Sequence, residues 1–325
     1  MGDIAVVVVS YEGRDLLAAC LRSVEDQLPA SAELVVVDNG SRDGSPAYVR
    51  EEHPRALLIE RPENPGFGAA VNEGVRRSAG DWVLVLNNDV TLRAGAIGRL
   101  LEAAESRGDV GAVAPQMRFA RRPGVLNGAG LDVDRLGVAF DRLLGAPARD
   151  DGAEPVEIFG ASGGAALLRR RMLEDLGGFD PSFFLFLEDV DLAWRAQMRG
   201  WRSLYASTAV VDHHHSAAAR HGSDLKLFLT GRNRVRLLAK NMPTRQLATR
   251  APGLLVYDVA YSLHGLFLGR STAPIRGRVA GVREWRTYRR AGAQGRRALE
   301  LAPTRGLRGA IRRGRAWRRG SGSLG

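Results

Sequence analysis

Continuously apolar runs alternate with helical segments over the first 115 residues, and this alternation restricts the folds open to the chain. The first run, residues 4–10, reads IAVVVVS, and residues 14–27 follow it with apolar side chains at the spacing of a helix face. Runs without polar alternation are typical of strands buried on both faces, and strands separated by helices pair in parallel. We therefore predict an α/β fold with a Rossmann-like, doubly wound, mostly parallel sheet.

The same patterns place the other elements. Further strands are predicted at residues 33–37, 56–60, 82–86, 110–114 and 203–211. Helices are predicted at residues 14–27, 43–51, 68–78, 94–106, 171–176 and 223–240. Between residues 118 and 157 Gly, Pro, Arg and Asp are frequent, which predicts loops and short strands over the sheet rather than a separate domain.

Basic residues are concentrated in the last quarter of the chain. From Asn241 onward there are 18 Arg and Lys against 3 acidic residues, whereas residues 1–240 hold 29 basic and 33 acidic residues. We predict a domain of residues 1–240 and a basic, partly amphipathic tail of residues 241–325 that ends in disorder at residues 312–325. Arginine interleaved with Trp285 and Tyr288 suits an anionic membrane surface.

Neither a leader peptide nor a membrane-spanning segment is predicted. The first residues lack a basic region, and the longest apolar stretch, residues 254–268, is interrupted by Asp258 and His264. The single cysteine, Cys20, excludes an intramolecular disulfide framework and fits a reducing compartment. We therefore expect a cytoplasmic protein that associates peripherally with the inner face of the membrane through its tail.

Polar residues or glycine follow four successive predicted strands. The segments are Ser10-Tyr11-Glu12, Asp38-Asn39-Gly40-Ser41, Asn64-Pro65-Gly66 and Asn87-Asn88-Asp89. In an open parallel sheet, ligands bind beyond the carboxyl ends of the strands. Each segment alone can be an ordinary turn, and Asp38 can form an Asx turn, but four such segments at one edge predict a binding site.

The second half of the chain adds three candidate groups. Gly163 and Gly164 permit close backbone approach, either to a sugar or to a packed neighbour. Glu188 and Asp189 follow an apolar run; acids at a helix start also suit the helix dipole alone, but a desolvated carboxylate makes a good general base. His213 begins a run of three histidines, which is either a solvated turn or part of a metal site with Asp89.

Together these stretches resemble the family 2 glycosyltransferases with the GT-A fold, particularly the bacterial rhamnosyltransferase-like branch, over residues 3–240. The matching stretches include VVVVSYEGRDLLAACLRSV, LVVVDNGSRDGS, NPGFGAAVNEG, WVLVLNNDV, the segment GGAALL to MRGW, and GRNRV. The resemblance implies an inverting, metal-dependent enzyme. It would move a sugar from a nucleotide-diphosphate sugar, dTDP-rhamnose or a UDP-hexose, to a hydroxyl of a cell-envelope polysaccharide or lipid-linked acceptor.

The resemblance also implies roles for the individual residues. Asp189 would be the catalytic base, with Glu188 beside it. Asp89 would bind Mg²⁺ or Mn²⁺, with Asn87 and His213 as further metal ligands. The remaining candidates would line the nucleotide-sugar pocket: Ser10, Tyr11, Glu12, Asp38, Asn64, Gly66, Asn72, Asn88, Gly163 and Gly164. The chain departs from the family pattern at Asn87, where many members have Asp, and at Glu12, where Asn is common.

Two other classes of protein remain as alternatives. A nucleotidyltransferase on a similar sheet would need a Gly-rich phosphate loop with Lys or Arg directly after the first strand, whereas SYEGRD offers only Arg14. A nucleic-acid-binding protein could use the basic tail, but it would leave the motifs of residues 1–240 unexplained. We therefore expect no nucleic-acid partner.

Overall fold

A computed structural model describes residues 3–149, 152–214, 223–267, 269–292 and 297–304. Its strands are β1 (Ile4–Ser10), β2 (Glu33–Asp38), β3 (Leu57–Glu60), β4 (Trp82–Asn87), β5 (Val90–Leu92), β6 (Val110–Phe119), β7 (Arg122–Gly128), β8 (Leu131–Val133), β9 (Ala139–Asp141), β10 (Val156–Ile158), β11 (Ala165–Arg169) and β12 (Arg202–His213). Its helices are α1 (Arg14–Glu25), α2 (Ser45–Glu52), α3 (Phe67–Arg76), α4 (Ala96–Glu105), α5 (Arg170–Leu176), α6 (Glu188–Met198), α7 (Asp224–Asn241), α8 (Thr244–Phe267), α9 (Ala273–Arg283) and α10 (Trp285–Ala291).

The central sheet has the strand order β10-β12-β6-β11-β4-β1-β2-β3. Strands β3, β2, β1 and β4 are parallel, and β12 is parallel to β6, which confirms the mostly parallel sheet that the sequence predicts. All seven residues of β1 are buried, because α1 packs on one face of the sheet and α3 packs on the other. Strand β11 enters between β4 and β6 in the antiparallel direction, a reversal that the apolar pattern alone does not reveal.

Part of the predicted tail is helical and packs against α7. A Cβ atom on Gly277 of α9 would stand 2.1 Å from the Phe228 carbonyl oxygen, so only glycine allows these two helices to approach so closely. Tyr288 of α10, which the sequence suggests for a membrane interface, is instead buried edge-on against Phe183. Its hydroxyl lies 2.8 Å from Ser182 Oγ. The helices after α7 therefore share a hydrophobic core with the segment before α6.

Two other predictions concern this end of the chain. No helix within the described ranges is both long and apolar enough to cross a membrane. Residues 312–325, which the composition predicts to be disordered, and Leu268, at the end of the apolar stretch, lie outside the described residues.

Candidate active site

The carboxyl ends of β1, β2 and β4 lie side by side at one edge of the sheet. Ser10 pairs with Asp38 across the β1–β2 ladder, and Asn87 lies next to Val9 across the β1–β4 ladder. The Asn88 side chain is buried and its Nδ2 donates to the Glu12 carbonyl oxygen at 2.5 Å. The polar strand ends are thus hydrogen-bonded to one another, as expected for parallel strands that end at a common edge.

The loop after β2 is built around Asp38. This buried carboxylate accepts from the backbone N–H groups of Gly40 and Ser41 at 3.0 and 2.8 Å and from Ser41 Oγ at 2.6 Å. Asp38 therefore forms the Asx turn considered from the sequence. Its carboxylate can still accept further hydrogen bonds. Glu12, in the left-handed region at φ 57°, accepts from the Arg42 N–H at 3.1 Å. Tyr11 beside it is 43% exposed.

The glycine loop before α3 contacts the segment that leads to α6. Asn64 Oδ1 accepts from the Gly66 N–H at 2.9 Å, and the Phe67 N–H donates to the Phe184 carbonyl oxygen at 2.8 Å. Farther along α3, both amide atoms of Asn72 bond to the backbone of Phe179, at 2.8 and 2.9 Å. Asn72 therefore joins α3 to the loop between α5 and α6 through both of its amide groups, and its place in the nucleotide-sugar pocket stays a prediction.

Gly66→Ala is expected to destabilise the protein by about 2 kcal/mol or more. Gly66 has φ +91°, and a Cβ there would stand 2.3 Å from the Phe184 carbonyl oxygen. Gly44→Ala is the comparison, because Gly44 also has a positive φ of +86° but has ψ 5°, in the left-handed helical region, and no atom within 4 Å of the added Cβ. Gly66 has ψ 168°, where essentially only glycine is found, so thermal unfolding should show the larger loss for Gly66→Ala from the clash and the backbone conformation together. Equal melting temperatures for the two would contradict the proposed contact.

Glu188 and Asp189 begin helix α6. Asp189 is half-buried, and its two carboxylate oxygens accept from the N–H groups of Gly163 and Val190 at 2.9 and 2.8 Å. Burial raises the pKa of Asp189. Burial and the neighbouring Asp189 charge raise the pKa of Glu188 well above its ordinary value, and Glu188 Oε2 accepts no hydrogen bond from the described residues. A protein-surrounded carboxylate with a raised pKa is a strong candidate for a general base.

The backbone before this pair is strained and is held by helix α7. Phe184, Phe186 and Leu187 all have φ near +67°, a conformation uncommon for such bulky residues. The buried Asn233 donates from Nδ2 to the carbonyl oxygens of Phe183, Leu185 and Phe186 at 2.8–2.9 Å. The GRNRV motif does not by itself indicate this role for Asn233, because the carbonyl partners of Asn233 lie about 50 residues away in the chain.

Asp89 and His213 lie together beyond β4. His213 Nε2 is 3.3 Å from Asp89 Oδ1, and His213 Nδ1 is 2.9 Å from Asn127 Oδ1. Asn127 Oδ1 can only accept, so His213 Nδ1 carries a proton. In a neutral His213 ring, Nε2 then presents a lone pair to the Asp89 carboxylate. Two acceptors at this distance repel each other unless a proton or a cation lies between them. His214 points elsewhere, toward Thr91 Oγ1 at 3.2 Å, and His215 lies outside the described residues.

These residues fit a divalent cation that also takes ligands from its substrate. Within the described part of the chain, no three His, Cys, Asp or Glu side chains form a complete metal cage. Mg²⁺ and related ions are commonly held by one or two carboxylates together with substrate phosphates and water. Asn87, half-buried at the end of β4, adds a further possible oxygen ligand at the same edge.

Asp141 is a candidate site residue that the sequence patterns missed. It ends β9 in the stretch predicted to be loops and short strands, and its side chain faces an open cleft. Although solvent reaches Asp141, the surrounding protein and the Asp189 charge raise its pKa to about 6. No local motif marks this aspartate, because only the tertiary fold brings the β8–β9 hairpin near Asp189.

A mostly parallel sheet with polar strand ends at one edge is typical of α/β enzymes that bind ligands at that edge, and comparison with known proteins identifies the family. The chain belongs to glycosyl transferase family 2, whose family model matches residues 5–177, and it is a glycosyltransferase. It is similar to the N-acetylglucosaminyl-diphospho-decaprenol L-rhamnosyltransferase of Mycobacterium tuberculosis. The two are 33% identical over 260 residues, which cover 70% of this chain and 84% of the relative.

Two solved structures have a similar fold. A mannosyltransferase from Pyrobaculum calidifontis in complex with GDP-Man and Mn²⁺ has a TM-score of 0.53 at 20% identity, covering 87% of this chain and 86% of that one. GalNAc-T7 with UDP, GalNAc and Mn²⁺ has a TM-score of 0.62 at 17% identity over 75% of this chain. The match spans about half, 49%, of the GalNAc-T7 chain. These likenesses confirm the GT-A fold that the sequence predicts.

Proposed function

We propose that this protein is an inverting, metal-dependent glycosyltransferase of cell-envelope biogenesis. It moves a sugar from a nucleotide-diphosphate sugar, dTDP-rhamnose or a UDP-hexose, to a hydroxyl of a polysaccharide or lipid-linked acceptor. The observation that carries the proposal is that the chain holds a candidate base and a candidate metal site. The base is Asp189, which has a raised pKa and accepts from the Gly163 N–H, and the metal site is Asp89 with His213 at the strand edge. The rhamnosyltransferase similarity supports the sugar class.

The proposed reaction is a direct displacement. Asp189 takes the proton of an acceptor hydroxyl, and the hydroxyl oxygen attacks the anomeric carbon from the face opposite the nucleoside diphosphate. The hydrogen bond from the Gly163 N–H orients the Asp189 carboxylate for this step. Ser10, Tyr11, Glu12, Asp38, Asn64, Gly66, Asn72 and Asn88 are the proposed nucleotide-side residues.

Asp89, His213 and Asn87 are the proposed protein ligands for Mg²⁺ or Mn²⁺. A divalent cation at this edge would offset the negative charge of the departing diphosphate. The Mn²⁺ in both structural neighbours supports a divalent ion. Asn127 keeps the His213 ring oriented, a role that commonly tunes a histidine ligand.

A donor screen tests the proposed function most directly. The purified full-length protein is incubated with dTDP-rhamnose, UDP-hexoses and GDP-mannose, each with a lipid-diphosphate-linked sugar acceptor and Mn²⁺ or Mg²⁺. We expect acceptor-dependent release of nucleoside diphosphate with at least one of the first two donor types. Nucleotidyl transfer would instead release pyrophosphate from a nucleoside triphosphate, and that result would overturn the assignment.

We further propose that helix α8 attaches the protein to an anionic membrane surface. Five apolar side chains on α8 are 45–71% exposed and lie within one stripe: Leu255, Val256, Val259, Leu263 and Phe267. Asp258, which interrupts this stretch in sequence, turns inward and pairs with Arg234 and Arg278 at 2.8 Å each. The residues after 240 also include six exposed arginines: Arg245, Arg270, Arg276, Arg283, Arg286 and Arg290. An apolar stripe with nearby cations suits the lipid interface.

The double variant Leu255→Ser with Val259→Ser is expected to bind anionic vesicles about tenfold more weakly than the wild type, because it removes apolar surface from the lipid contact. Co-sedimentation with phosphatidylglycerol vesicles measures the binding, and Leu57→Ser, on the exposed edge strand β3, is the matched control. Binding that is equal in wild type and double variant would contradict the role of α8.

A further inference from the structure

A shallow cleft lies next to the proposed catalytic residues, beside the second half of β6 and the start of β11. Its volume of about 230 Å³ includes the open solvent above it, and it is lined by Ala114, Pro115, Met117, Gly128, Gly130, Asp141, Ser162 and Ala165. Ser162 directly precedes Gly163, whose N–H donates to Asp189. A Cβ at Gly164 would lie 3.3 Å from Met117 and 3.9 Å from the Asn87 side chain. Two lining residues, Ser162 and Met117, are thus near neighbours of the Gly163–Gly164 segment that contacts the proposed base.

Asp141 is held rigidly at this cleft by its backbone. It pairs with Leu131 in the β8–β9 ladder, and the adjacent Arg142 N–H donates to the Gly130 carbonyl oxygen at 2.9 Å. The Arg142 Nη1 also donates to the Ala129 carbonyl oxygen at 3.0 Å. These contacts fix the backbone of Asp141 beside the cleft.

The Asp141 carboxylate itself is available for a ligand. It is exposed in the cleft, and no ion pair or hydrogen bond joins it to another described side chain. The titratable groups near it are Asp189, Lys226 and His213, which interact with it electrostatically. A carboxylate that stands on a fixed backbone, faces a cleft and forms no ion pair with another described side chain is more easily explained by ligand binding than by stability.

The lining of the cleft matches the chemistry of a sugar ring. Ala114, Pro115, Met117 and Ala165 supply an apolar wall, while Asp141 and Ser162 supply hydrogen-bonding oxygens. A pyranose combines an apolar C–H face with hydroxyl donors, and small-ligand sites characteristically pair apolar walls with a few placed polar groups. An ionised carboxylate accepts such hydroxyls strongly.

We propose that Asp141 binds a hydroxyl of a sugar ring that lies against this shallow cleft, and that it thereby contributes to the choice of sugar. The inference rests on the proposed glycosyl transfer. The ring belongs either to the donor or to the acceptor, since both must meet beside Asp189. If it is the donor sugar, Asp141 discriminates among nucleotide sugars; if it is the acceptor sugar, Asp141 discriminates among acceptor glycans.

Steady-state kinetics of the full-length Asp141→Ala and Asp141→Asn variants test this proposal. Loss of a hydrogen bond to a charged group is expected to raise one KM about tenfold or more in Asp141→Ala, and less in Asp141→Asn, which retains one acceptor oxygen. A raised donor KM, with unchanged binding of the free nucleoside diphosphate, identifies the donor sugar. A raised acceptor KM identifies the acceptor sugar.

Asp132→Ala is the matched control, since Asp132 lies on the same hairpin and is 3.5 Å from Arg142 but does not line the cleft. We expect it to leave both KM values within about twofold. Unchanged KM values in both Asp141 variants, or a fall in kcat alone, would overturn the role of Asp141. A raised KM that Asp132→Ala reproduces would also overturn it, because the effect would then come from the hairpin. Turnover by the wild type supports glycosyl transfer whatever the Asp141 variants show. A failure of the role proposed for Asp141 can therefore be told apart from a failure of the proposed glycosyl transfer.

Discussion

Asp189→Asn is expected to lower kcat by about a thousandfold, with donor and acceptor KM changed only severalfold. The amide keeps the size of the side chain and an oxygen that can accept from the Gly163 N–H. It cannot take a proton from the acceptor hydroxyl. A loss confined to kcat would therefore report removal of the base and not loss of binding.

The measurement is the release of nucleoside diphosphate under saturating donor and acceptor. Glu188→Gln is the matched comparison, because Glu188 is adjacent, more deeply buried and also has a raised pKa. A smaller loss in Glu188→Gln than in Asp189→Asn would assign the base to Asp189, and the reverse order would assign it to Glu188. Retention of more than a tenth of wild-type kcat in both variants would contradict a carboxylate base at this position.

The pH dependence of the wild type gives an independent check on this base. The base acts when deprotonated, and burial raises the pKa of Asp189, so the active form appears only as the pH rises through that raised value. The acid limb of the kcat profile should therefore lie above the ordinary aspartate pKa of about 3.9. A flat profile down to pH 4 would be inconsistent with this assignment.

Asp89→Ala is expected to weaken Mn²⁺-dependent binding of dTDP or UDP by about a hundredfold, and to reduce turnover accordingly. Asp89 is buried, lies 3.3 Å from His213 and supplies the anionic oxygen of the proposed metal site. Because Asn87 is uncharged, no second acid in the LNNDV segment compensates for the loss. Calorimetry with and without Mn²⁺ measures the effect.

Two histidine variants accompany this measurement. His213→Ala should weaken metal-dependent binding, whereas His214→Ala should not, because the His214 ring contacts Thr91 and only its backbone N–H, which alanine keeps, contacts Asp89. Nucleotide binding that is equally strong with and without Mn²⁺, and unaffected by Asp89→Ala, would remove the metal from the proposed site.

The parallel half of the sheet could be predicted because its strands are buried on both faces. Only continuous apolar runs such as IAVVVVS tolerate that environment, so the sequence pattern and the structure correspond closely there. Strand β11 carries the same kind of apolar run, yet it is antiparallel to both neighbours. Strand direction depends on the path of the chain between strands, which no local pattern records.

The part of the candidate site that is formed by the ends of parallel strands could be predicted from the sequence. Ser10, Asp38 and Asn87 end neighbouring parallel strands, and they do lie together. Asn127, Asp141 and Asn233 could not be recognised, because their contacts are made with distant parts of the chain. The roles of these residues depend on tertiary neighbours and not on any spacing in sequence.

The packing of α9 and α10 on α7 makes the chain less modular than its charge distribution suggests. Arg236 of α7 donates to the Ser182 carbonyl oxygen and pairs with Glu284, which directly precedes α10, at 2.7 Å. The same helix holds the strained segment before Asp189 through Asn233. We therefore expect deletion of the residues after 240 to loosen the packing behind the catalytic segment as well as to remove the proposed membrane contact. Substitutions on the outer face of α8 would alter that contact and leave the packing on α7 intact.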